Sequence, residues 1–128
     1  MRKETEKWLI IAEENLEAAR VLLNNSLFNP CLQNIQQSIE KGLKAIFIEK
    51  GIKLKKTHSI TELNNILQLN KINVDLTEDE CDLLDSIYLP SKYPLGSVLP
   101  NFEPDIVICR DSIKFNERII NSIKKILS

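Results

Sequence analysis

Helix-breaking residues are scarce in this chain and unevenly placed. Its 128 residues hold only 3 glycines, and most of its 5 prolines fall between residues 90 and 104. The long intervals between them carry apolar residues at three- and four-residue steps, the period of a helix with one buried face. No period-two alternation bounded by hairpin turns occurs, so the expected fold class is all-α.

The periodicity predicts a first helix from Lys3 to Asn25, with Trp8, Ala12, Asn15, Leu16, Ala19, Leu22 and Leu23 on the inner stripe. Asn29-Pro30 reads as a cap and first helical residue, opening a second helix to Lys50. Its stripe is Ile35, Ile39, Leu43, Ile46 and Phe47, and Gly51 closes it as a left-handed cap. Ser59 and Glu62 form a candidate capping box for a short helix to Leu69; Thr77 and Glu80 form another, for a helix from Glu78 to Tyr88. Leu89–Asn101 is expected to be irregular. Pro104 opens the last helix, to Leu127, where Asn116 interrupts an apolar stripe. The sum is three long helices and two short ones in a bundle, a single domain over residues 1–128.

Composition narrows the function classes. Net charge is −1, against a dedicated duplex-binding protein, which carries a basic excess. Cys31, Cys81 and Cys109 are widely spaced, with no CxxC pair, so reduced thiols packed in a cytoplasmic protein are expected, with no zinc site and no disulfide framework. The apolar run after Trp8 breaks at Glu13, too short for a signal sequence or a membrane span. Asp75, Glu78, Asp79, Glu80, Asp82 and Asp85 read as a solvated acidic face, with half of them serving as caps. Gly42 is costly within a helix and signals a close helix approach or an incidental substitution.

The segment QNIQQSIEKGLKAIFIEKGIKLKKTHSITEL contains Gln36-Gln37, Glu40-Lys41, Lys44-Ala45 and Lys56-Thr57-His58 in order. With the AEENLEAARVLL run before it, and Tyr88 and Lys92-Tyr93-Pro94 after it, the chain resembles the HEPN family over nearly its whole length. That resemblance implies an up-down four-helix bundle with one additional short helix, dimerisation through helix faces, and nucleotide binding beside a nucleotidyltransferase partner. Some relatives are metal-independent ribonucleases of toxin–antitoxin or defence systems. Those use an Arg followed four to six residues later by a His; the only His here is His58, and no Arg precedes it at that spacing. Lys92 stands where Arg is favoured, keeping the charge but losing the bidentate fork.

The candidate ligand-binding residues are Gln36, Glu40, Lys44, Lys56, Thr57, His58, Lys92 and Tyr93. Gln36, Glu40 and Lys44 share a helical stripe, and Lys53, Lys55 and Lys56 precede a helix N-terminus, where anions are favoured. Lys92 and Tyr93 supply a cation and a ring for phosphate and base. No catalytic dyad is defensible from spacing, so no activity of its own, no metal and no cofactor are expected. The leading reading is a homodimeric nucleotide- or phosphate-binding module with a nucleotidyltransferase partner. The alternatives are a ribonuclease toxin acting on RNA and a structural dimeric accessory subunit.

Overall fold

Among the described residues the chain forms five helices and no strand. The computed structural model describes the backbone of residues 1–92 and 104–128, with side chains through Tyr88 and from Pro104 onward. The helices are α1 (Lys3–Asn24), α2 (Phe28–Lys50), α3 (Ile60–Leu69), α4 (Glu78–Lys92) and α5 (Ile106–Leu127).

α2 is the central element and contacts each of the other four helices. Its Leu32, Ile35, Ile39, Leu43, Ile46 and Phe47 are fully or almost fully buried. They meet Ala12, Leu16 and Ala19 of α1, Leu63 and Leu67 of α3, Leu84 of α4, and Ile119 and Ile123 of α5 in one apolar core. Gly42 marks a close α2–α5 approach: a Cβ there would lie 2.8 Å from Ile123 Cδ1 and 3.3 Å from Ile120 Cδ1. The glycine therefore serves a core contact.

Boundaries follow the local chemistry. α2 starts at Phe28, two residues before the expected proline, because Cys31 N already donates to Leu27 O. Pro30 then sits within the first turn, where no amide donor is required. Gly51 adopts φ 66° as the left-handed cap. At α3, Ser59 Oγ accepts from Glu62 N at 3.1 Å, but Glu62 turns to Lys55, so only half of that capping box forms. The Thr77–Glu80 box is complete, with reciprocal bonds of 3.0 and 3.1 Å. α4 continues one turn past the expected end at Tyr88 and includes Pro90. α5 starts at Ile106 after an Asp105 N-cap that accepts from Ile108 N at 2.8 Å. Asn116 is fully buried rather than a gap in the stripe, with Oδ1 3.0 Å from Ser38 Oγ across the α2–α5 interface.

Candidate functional site

Three polar residues on successive turns of α2 are buried where the stripe meets the surface. Gln36 is 1 % exposed, Glu40 0 % and Lys44 8 %. A buried carboxylate is tolerated only when its lone pairs are filled, and here they are. Glu40 Oε1 accepts from Gln36 Nε2 at 3.0 Å, and Oε2 accepts from Lys44 Nζ at 2.9 Å. His58 Nδ1 lies 3.2 Å from both oxygens, and Lys41 Nζ lies 3.8 Å from Oε2.

Burial acts to raise the Glu40 pKa. The hydrogen bonds from Lys44 and Gln36, the charge of Lys44 and the bond from His58 together outweigh it and hold the carboxyl below the ordinary glutamate value. One anion is thus surrounded by two ammonium groups and an imidazole, leaving a net cationic cluster.

Two aromatic residues frame it. Tyr88 of α4 stacks on His58 with ring centroids 4.7 Å apart and planes inclined by 18°. Trp8 of α1 lies beneath both lysines, with Lys41 Nζ 5.5 Å and Lys44 Nζ 5.9 Å from the ring centroid. The His58 side chain is 52 % exposed, so the imidazole stands at the cluster's mouth.

The structure brings together Gln36, Glu40, Lys44 and His58. Thr57 turns instead to the α3 cap, where its Oγ1 accepts from Ser59 N at 3.1 Å, and Lys56 is exposed beside it. Lys92 ends α4, but its side chain and all of Tyr93 lie outside the described residues. Lys41, on the polar flank of the second helix that the sequence offers as a ligand-facing wall, joins the cluster, whereas Trp8 and Tyr88 were not among the expected site residues. Lys41 follows Glu40 directly and was visible as a neighbour; the two rings arrive from other helices and carried no local signal.

The expected anion seat at the α3 N-terminus is filled from within. Asp85 Oδ1 accepts from Ile60 N at 2.6 Å, and Oδ2 accepts from Thr61 N at 3.3 Å, Thr61 Oγ1 at 2.7 Å and Ser59 Oγ at 3.2 Å. Lys55 pairs with Glu62. A ligand's negative charge would therefore be met by Lys41 and Lys44, not by these amides. Asp85 is accordingly a cap supplied from α4 rather than part of a solvated face. Glu80 also leaves that face by pairing with Arg118 of α5.

A second concavity, of about 260 Å³, lies between α1 and α5 and is lined by Glu13, Glu17, Arg20, Glu117 and Lys124 among others. Its charges pair with one another across the helices, Arg20 with Glu117 and Lys124 with Glu13. Among the described residues no group of His, Cys, Asp and Glu is arranged to hold a metal, and no helix is long and apolar enough to cross a membrane.

A helical bundle carrying a lysine–glutamate–histidine cluster on its central helix is the class that the fold and site define. The HEPN domain family model matches residues 5–126, and the chain belongs to that family. It is 25 % identical over 127 residues to a Methanocaldococcus jannaschii protein named "Putative toxin MJ0605", covering 99 % of this chain and 94 % of that one. Among solved structures it resembles ST0689, an archaeal HEPN homologue, at TM-score 0.74 and 27 % identity over 99 % of this chain and all of that one. TT1696 from Thermus thermophilus shares the fold at TM-score 0.67 and 21 % identity, over 98 % of this chain and all of that one.

Proposed function

We propose that this HEPN protein is a nucleotide- or phosphate-binding module that dimerises and works beside a nucleotidyltransferase partner, in a toxin–antitoxin or defence setting. The observation that carries the binding reading is the pair of ammonium groups, Lys41 and Lys44, around a single buried carboxylate, next to the stack of the half-exposed His58 ring on Tyr88. Ammonium groups meet phosphate as point charges, and an imidazole–phenol stack offers a flat surface to a base. The name of the archaeal relative supports the toxin–antitoxin setting.

The test is a thermal-shift titration with nucleotides, read together with the His58 ring signals by NMR. A nucleotide present at a hundredfold excess over its Kd stabilises the fold by about 2.7 kcal/mol. The reading fails if millimolar nucleotides neither raise Tm nor move His58. Light scattering tests the dimer.

A second reading, a metal-independent ribonuclease, is favoured by one observation: an imidazole oriented by a carboxylate, as general bases are. Against it stands the absence of an Arg at the expected spacing before His58. RNA cleavage by the purified protein that His58→Ala abolishes would support it.

A further inference from the structure

The hydrogen-bond inventory of Glu40 determines what His58 shows to solvent. Each Glu40 oxygen already accepts from an obligate donor, Gln36 Nε2 on one and Lys44 Nζ on the other. A carboxylate so placed has no hydrogen to give. His58 Nδ1, 3.2 Å from both oxygens, must therefore be the donor. A neutral imidazole has a single N–H, so its Nε2 then carries a bare lone pair. Stacking on Tyr88 holds the ring plane, and the half-exposed side chain turns the edge away from Glu40 to solvent.

We infer that Glu40 is a positioning residue that fixes the neutral His58 ring with Nδ1–H inward and Nε2 outward as an acceptor, so that the site takes a phosphate ligand which also carries a hydroxyl donor, as a ribonucleotide does. This rests on the phosphate-binding reading above and adds a requirement to it. Lys41 and Lys44 can only donate, and Nε2 of the neutral ring can only accept. A ligand satisfying both joins an anionic group to an O–H in one molecule. The monoester dianion of a dideoxynucleotide lacks that hydroxyl and leaves the imidazole acceptor to water.

Two measurements on the full chain test this. Two-bond proton–nitrogen correlations, recorded under alkaline conditions with the ring neutral, should show the Nδ1–H tautomer of His58 as the dominant form. Under the same alkaline conditions, adenosine 5′-monophosphate should bind about three- to tenfold more tightly than its 2′,3′-dideoxy analogue, the range that one hydrogen bond supplies. In Glu40→Gln, whose side chain can accept or donate, the tautomers should mix and the affinity ratio should fall to about one. A dominant Nε2–H tautomer in the wild-type protein overturns the inference, as do equal affinities for the two nucleotides. If neither nucleotide nor inorganic phosphate binds, the phosphate-binding reading and the hydroxyl requirement fall together, and the tautomer spectrum decides the role of Glu40 alone. Both wild-type measurements stand even if Glu40→Gln does not fold.

Discussion

Glu40 ties stability to site chemistry in a single side chain. Its folded pKa lies below the unfolded value of 4.5. The stabilisation it contributes is therefore fully present above that value and lost as pH falls through the lower, folded one. Urea titrations from neutral to acid pH should show a steeper loss of stability in the wild-type protein than in Glu40→Gln, which has no carboxyl to protonate there; equal slopes would contradict the assignment. Glu40→Ala removes the buried partner of Lys44 as well, and is expected to destabilise by about 3–5 kcal/mol at neutral pH. Asp85 is the other residue of this kind. Asp85→Ala leaves the first amides of α3 without their acceptor and should lower stability by about 1–2 kcal/mol, together with faster amide exchange at Ile60 and Thr61. Neither role could be read from spacing. Glu40 and Lys44 look like an ordinary surface pair at i and i+4, and Asp85 looks like one more acid in an acidic run, because burial is a property of what packs on top.

At the level of elements, periodicity and cap chemistry were informative wherever the determining contact is local. Gly51 as a left-handed cap and the Thr77–Glu80 box depend on residues within one turn, and both are legible in the chain. The start of α2 was displaced because a proline in a helix's first turn costs little and so marks the boundary loosely. Asn116 misled for the opposite reason: its partner, Ser38, lies 78 residues away. The α2–α5 contact at Gly42 gives a test at this scale. Gly42→Ala gains about 1 kcal/mol of helix propensity but drives a methyl against Ile123 Cδ1 in a filled core, where overpacking costs about 1–3 kcal/mol. We expect a net destabilisation of about 1 kcal/mol. Ile123→Val deletes the obstructing carbon, so the double mutant should be more stable than the sum of the single changes, by at least about 0.5 kcal/mol in a thermodynamic cycle; additivity would mean that the two side chains do not meet.

For the whole molecule, the three thiols report on global opening. Burial raises Cys109 to about 12, with Cys31 beside it adding to the rise. Burial also raises Cys81 to about 11, assisted by Asp85, Asp82 and Glu80. Cys31 is raised as well, by burial against the opposing hydrogen bond with Cys109. Thiolate is the reactive form, so all three should resist alkylation in the native state at neutral pH. Labelling should proceed only as fast as the molecule unfolds, and rapid modification of any one of them under native conditions would show a local opening that the packing does not anticipate.

Because α2 touches every other helix, its burial has a consequence during synthesis. As the polypeptide leaves the ribosome, Phe28–Lys50 follows α1 directly and can pair with it at once, yet Ile120 and Ile123, which close over Gly42, belong to α5 and are translated after the other four helices. Until α5 emerges the nascent chain carries an open oily seam, the kind of surface that holdase chaperones occupy and that sticks to its own kind. A chain stopped at residue 104 should bind the dye ANS strongly, and the full-length chain should not.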